Sequence, residues 1–276
     1  VYFNCPIYIQ VQGKKLTDNI KNQIVQELSA IEKQFDRNTQ QSFVYQFNNA
    51  PLNQQFALSD YAVDILAFSK NCYTLSSGRF NPSIYPLLKV WQFAPDYPKT
   101  DFVLPSQTEI QNALDKVIDV NQLDFDKENK TLTKNIECTL DFGGIVKGYA
   151  VEVCGKILKQ AGYEKGYISI GGSSIYILHS QTLSLRHPLI EKKGSNILDI
   201  DLSDMHNYSL STSGDYEKYY IENEVMYSHL INANTGYPTT TGVRSVSLIN
   251  ARGAYSDGLS TACCLFEHSP NDIQNS

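Results

Sequence analysis

The chain has 276 residues, 42% hydrophobic and 19% charged, which suffices to bury a full core in an ordinary globular protein. Its formal net charge of −6 argues against a non-specific nucleic-acid binder, which needs a basic face. No run approaches the roughly 18–20 consecutive apolar residues of a membrane span, and the six cysteines, at 5, 72, 138, 154, 263 and 264, show neither zinc spacing nor a disulfide framework.

Residues 1–13 alternate as a strand, with Ile7, Ile9 and Val11 on one side. From Thr17 to Phe35 the apolar positions Ile20, Ile24, Leu28, Ile31 and Phe35 follow helical spacing. A second helix is predicted from Ser59, its N-cap, to Thr74, with Gly78 beyond its end. Ser106 and Glu109 form a capping-box pattern that opens a helix running to Val117, and Leu123 to Thr133 reads as a hairpin turning at 126–129. A helix begins at Lys147 and ends near Gly162; Tyr167 to Ile170 is a short strand. A hairpin spans Tyr216 to Ile231, turning near Glu222 and Asn223; a strand covers Val243 to Ile249, and the last helix starts near Ser256. The mixed order predicts an α+β fold, read as one domain of mixed sheets with packed helices over 1–276.

Four segments carry chemistry. Asp141-Phe142-Gly143-Gly144-Ile145-Val146-Lys147 places two glycines and a lysine at a helix entry, where backbone can approach a phosphate and the helix dipole favours an anion; a tight turn is the plain alternative. Gly171-Gly172 ends a strand and offers backbone amides, or an ordinary turn. Ser211-Thr212-Ser213-Gly214-Asp215-Tyr216 suits a polar ligand held by short contacts, whereas His229, in an apolar strand, has the plain alternative of a satisfied core histidine. Asp257 and Thr261, spaced i, i+4, turn a carboxylate and a hydroxyl to one helix face, a donor set suited to Mg2+; the alternative is a carboxylate complementing the helix dipole.

Read in order, these pieces resemble the ApbE family of FAD:protein FMN transferases. The family's aspartate–glycine–lysine stretch is seen at Asp141 to Ala150, its serine-rich stretch intact at Ser211 to Tyr216, its histidine segment from Tyr227 to Pro238, and its closing helix at Ser256 to Ala262. Gly78-Arg79-Phe80-Asn81-Pro82 with Trp91-Gln92-Phe93, and Ser42 to Asn48, echo its upstream elements. The resemblance implies a single α+β domain that binds FAD with Mg2+ and transfers FMN to a Ser or Thr hydroxyl of a protein acceptor, releasing AMP. The acceptor would carry an FMN-binding domain or be a redox-pump subunit. By position it implies metal ligation by Asp257 and Thr261 with the Gly144 carbonyl and Ser260. It also implies flavin-nucleotide contacts from Phe80, Asn81, Asp141, Lys147, Gly171, Gly172, Ser213, Gly214, Ile231 and Thr235. His229 is the implied catalytic base, with Asp257 as the competitor.

This chain departs from the pattern at Asn81, where the family has aspartate, and at Asn232-Ala233, where it has Asp-Pro. An FAD pyrophosphatase on the same scaffold and a non-catalytic flavin carrier are the competing expectations. The family's habit points to an exported or lipid-anchored protein with its leader removed, and the unpatterned cysteines to the cytoplasm.

Overall fold

A computed structural model describes residues 1–94, 102–179, 182–189 and 195–266. Strand β1 (Ile7–Val11) leads to helix α1 (Asp18–Phe35), whose first turn is capped by Thr17 and whose residues Ile24, Leu28, Ile31 and Phe35 are buried. The short helix α2 (Phe43–Asn49), capped by Ser42, precedes β2 (Gln55–Ala57) and α3 (Asp60–Leu75), capped by Ser59. Helices α4 (Tyr85–Val90) and α5 (Gln107–Leu114) follow; the capping box at Ser106 and Glu109 forms, but the helix ends three residues before Val117. Strands β3 (Asp124–Asp126) and β4 (Thr131–Thr133) make the expected hairpin, joined by β2 in a three-stranded sheet.

Helix α6 (Val146–Gln160) then enters β5 (Gly166–Ile170), β6 (Ser174–His179), β7 (Thr182–Arg186), β8 (Asn196–Asp201) and β9 (His206–Gly214). The hairpin β10 (Tyr219–Glu222) and β11 (Val225–Ser228), turning at Asn223 and Glu224 with positive φ, precedes β12 (Ser245–Asn250) and α7 (Gly253–Cys263). Helix α7 starts three residues before Ser256.

The main sheet is antiparallel throughout, in the order β1-β5-β6-β9-β12. One face buries Ile168, Ile170, Tyr176 and Leu178 in the large core shared with α1, α3 and α6. The other buries Ile175, Ile177 and Leu210 with Leu202, against Leu183, Leu185 and Ile200 of the β7–β8 hairpin. Strand β6 is therefore covered on both sides, which accounts for its unbroken apolar run where alternation would mark a half-exposed strand. A smaller core gathers Leu87, Trp91, Ile110, Ala113 and Ile231 beneath the β10–β11 hairpin. Among the described residues no helix is long and apolar enough to cross a membrane. The six cysteines are free thiols.

Candidate functional site

The site is built where α6 and α7 cross. Their backbones touch: a β-carbon on Gly148 would lie 2.1 Å from the Gly253 carbonyl oxygen, and one on Gly253 would lie 2.0 Å from the Gly148 carbonyl oxygen. Only glycine permits this approach, and it brings Asp257, on the second turn of α7, against the start of α6. The Gly148 amide donates to Asp257 Oδ2 at 2.8 Å, while Ser174 Oγ stands 3.5 Å from Oδ1. Asp257 is buried, and burial pushes its carboxyl above the usual range; Lys147 and the amide bonds pull the other way without cancelling the effect.

One turn on, three hydroxyls meet. Ser213 Oγ, on β9, lies 2.8 Å from Ser260 Oγ and 3.0 Å from Thr261 Oγ1. Ser260 is fully buried and donates to the Asp257 carbonyl at 2.9 Å, whereas Thr261 is partly exposed. Ser213, expected to meet the nucleotide, is thus joined to the hydroxyls expected to hold the metal. Serines at these positions of β9, in place of larger side chains, let α7 lie close to the sheet.

The lysine links two halves of the site. Its charge acts on both Asp257 and His229, lowering the pKa of each, and its Nζ donates to the Gly143 carbonyl at 3.3 Å. His229 follows β11 directly. Its backbone amide donates to the Lys218 carbonyl at 3.0 Å, and Nδ1 lies 3.1 Å from the same oxygen. A carbonyl only accepts, so this contact selects the tautomer with the proton on Nδ1 and a free lone pair on Nε2. Burial beside Phe93, with Lys218 and Lys147 nearby, pushes the His229 pKa down to about 4 despite the bond to the Lys218 carbonyl. At neutral pH the ring is an uncharged acceptor.

The other expected contacts fall into two groups. Gly171 and Gly172 turn between β5 and β6 with φ of +64° and +76°, and a β-carbon on Gly172 would meet nothing within 4 Å. The turn is tied to β9 by the Thr212 amide, which donates to the Ser173 carbonyl at 2.8 Å. Gly214 ends β9, packed against the Tyr216 ring. Phe80 is buried with its ring edge near Gly144, and Ile231 is buried in the smaller core. Thr235 lies exposed in the turn that follows His229.

Asp141 and Asn81 are already engaged within the chain. Asp141 pairs with Arg37 and accepts from the Gly143 amide at 2.8 Å. The Asn81 amide donates to the Ile118 carbonyl at 2.8 Å and accepts from the Ser83 amide and hydroxyl. Asn48 holds Leu140 by both backbone groups, at 2.8 and 3.0 Å, and so places the Asp141 loop. Sequence reasoning missed Ser174, Arg37 and Asp215, the last buried against Arg244 at 3.0 Å with Oδ1 unpartnered. Asp215 stands inside the serine-rich stretch and Ser174 directly after the Gly171-Gly172 turn, which were the available signals; Arg37 comes from a distant segment and carried none.

The donor set fits a hard cation. It offers one buried carboxylate, with a hydroxyl 3.5 Å from Oδ1, together with neutral oxygens. Among the described residues no group of three or more His, Cys, Asp or Glu side chains assembles, so a thiolate–imidazole site is not formed there.

The ApbE family model matches residues 3–271. An FAD:protein FMN transferase of Vibrio cholerae is 26% identical over 260 residues, spanning 92% of this chain and 75% of that protein. Another, of Chlamydia pneumoniae, is 28% identical over 231 residues, spanning 80% and 68%. The crystal structure of the ApbE protein of Thermotoga maritima superposes with a TM-score of 0.82 at 25% identity, covering 96% of this chain and 84% of that one. The apo flavinyl transferase ApbE of Pseudomonas stutzeri, at 22% identity and a TM-score of 0.78, shares the fold, covering 95% and 84%. With a site of this composition and a family model matched over nearly its whole length, this chain belongs to the ApbE family.

Proposed function

We propose that this protein transfers FMN from FAD to a Ser or Thr hydroxyl of an acceptor protein, with Mg2+, releasing AMP. The observation that carries the reading is the buried Asp257 carboxylate, held by the Gly148 amide at the start of α6 and lying one turn from the joined hydroxyls of Ser213, Ser260 and Thr261. The names of the relatives support it.

Asp257 and Thr261 would hold the metal with the Gly144 carbonyl, and Ser260 and Ser213 would fix the Thr261 hydroxyl. Mg2+, when bound, neutralises charge on the two phosphates of FAD. The chain's own residues supply the rest. Lys147 adds a positive charge at the start of α6, where the helix dipole already favours phosphate. His229 Nε2 accepts the proton of the acceptor hydroxyl as its oxygen bonds to the FMN phosphorus. The phosphorus–oxygen bond to AMP breaks, and AMP leaves with the electron pair. A histidine held as the Nδ1–H tautomer needs no reorganisation to accept that proton.

The test is incubation with FAD, Mg2+ and an acceptor carrying an FMN-binding domain or a redox-pump subunit, read by intact mass and AMP release. A covalent mass gain equal to FMN less one water, lost in Asp257→Ala, supports the transferase. AMP without the gain points to an FAD pyrophosphatase, and neither signal despite bound FAD points to a carrier.

A further inference from the structure

Helices α6 and α7 both start without a side-chain cap: neither Ile145 nor Arg252, their N-cap residues, makes the usual side-chain bond to its own helix. Each is instead capped by a carboxylate from the other. Asp257 of α7 accepts from the Gly148 amide of α6 at 2.8 Å. In return Glu152 of α6, one turn beyond Gly148, accepts from the Gly253 amide of α7 at 2.7 Å. The exchange straddles the point where the Gly148 and Gly253 backbones touch.

Glu152 is only 1% exposed, and its other oxygen is engaged as well: Oε1 accepts from Arg252 Nε at 2.8 Å and from Lys156 Nζ at 2.6 Å. A buried carboxylate carrying three charge-assisted or amide bonds is a rigid fixture, because removing any partner leaves a costly unpaired group. The first turn of α7 is therefore anchored to α6 at the residue four positions before Asp257. Rotation or sliding of α7 would carry Asp257 away from the Gly148 amide and Thr261 away from Ser213.

We infer that Glu152 is a positioning residue for the metal-holding carboxylate, fixing Asp257 and Thr261 by capping α7 from α6. It touches neither metal nor substrate, and its contribution depends on reach to the Gly253 amide more than on its charge. The inference rests on the reading of Asp257 and Thr261 as metal ligands.

Reach and charge are separable. Glu152→Gln keeps an acceptor oxygen for the Gly253 amide at the right length and turns its NH2 toward Arg252 and Lys156, which are 43% and 52% exposed and can turn to water; Glu152→Asp keeps the charge on a side chain one methylene shorter. The probe is Mn2+, its binding to the FAD-loaded chain measured by electron paramagnetic resonance, with thermal melts confirming that each variant is folded. Glu152→Gln is expected to bind Mn2+ within about threefold of the parent chain and Glu152→Asp about tenfold more weakly, the scale of an outer-shell loss. Turnover at saturating metal should recover in both.

Equal affinities in the two folded variants, or tighter binding by Glu152→Asp, would overturn the inference. So would a variant that weakens turnover at saturating metal while leaving Mn2+ affinity unchanged. A parent chain that binds Mn2+ but transfers no FMN would sink the proposed transferase and leave the positioning role standing; one that binds no Mn2+ would remove both.

Discussion

The two halves of the site are held in different ways. The α6–α7 crossing is locked by backbone: two glycines in contact, two exchanged caps and a hydroxyl cluster, with almost no side-chain freedom. The half that carries His229 rests on side chains. Tyr220 stacks on Phe102 at 4.3 Å between ring centroids and meets Phe93 at a tilt at 5.1 Å, Tyr227 stacks on Trp91 at 5.5 Å, and the histidine itself hangs from one carbonyl. On the proposed function the α6–α7 half would bind phosphate and metal, and it would gain from fixed electrostatics, since pre-set dipoles cost nothing at the moment of reaction. The half proposed to accept the proton would have to admit a protein segment, and there the outer residues Tyr219, Ile221 and Val225 are exposed.

The sharpest break comes from Asp257→Asn. Transfer should fall by about 10³-fold, the upper scale for removing an electrostatic group from a site. Without metal, the melting temperature should stay level or rise. The sign follows from the raised pKa: burial makes the folded chain hold a proton more tightly than the unfolded one, so ionised Asp257 lowers stability as pH rises through its folded value. A clear loss of stability in Asp257→Asn would mean that the carboxylate is a structural group first.

His229→Gln is the matching change on the other half. A positioned base gives about 10²–10⁴-fold, so transfer should fall by about 10²-fold or more while FAD binding and melting temperature hold. Unchanged transfer would remove the histidine from the mechanism. Its pKa can be tested directly: the His229 ring signal in NMR should stay that of a neutral imidazole at pH 6 and titrate near 4. Because the folded value lies below the ordinary 6.5, the histidine costs stability as pH falls from about 6.5 to about 4; a ring protonated at pH 6 would contradict the burial argument.

Gly148→Ala probes the locked half by shape alone. The methyl group cannot be housed 2.1 Å from a carbonyl oxygen, so the helices must part, at about 1–3 kcal/mol by analogy with overpacked cores. Thermal melts should show the loss, with Mg2+-dependent transfer falling alongside. The smallest effect expected is Ser106→Ala, which removes the capping box of α5 and costs about 1 kcal/mol with no change in transfer.

Sequence made the helices legible where a cap was written in the text, as at Ser59 and Ser106, or where the apolar period was long, as from Thr17 to Phe35. It hid the centre of the sheet. Strand β9 carries Ser209, Ser211 and Ser213 where strands usually show branched or aromatic residues, so its text reads as a ligand loop. The reason is the helix against it: small side chains on β9 are what allow α7 to approach. Asp257, Thr261 and His229 were visible as residue types in a recognised order. Glu152 was not, because a glutamate inside an amphipathic helix looks like any solvent-facing charge until the helix that crosses it is known.

The chain has one tryptophan, Trp91, 1% exposed, which donates from Nε1 to the Gly236 carbonyl at 2.8 Å and stacks on Tyr227, two residues before His229. Its fluorescence is therefore a built-in optical gauge. With no other indole to dilute the signal, quenching by energy transfer to an isoalloxazine ring would report flavin arrival, and a spectral shift would report movement of the histidine hairpin, in the unlabelled protein.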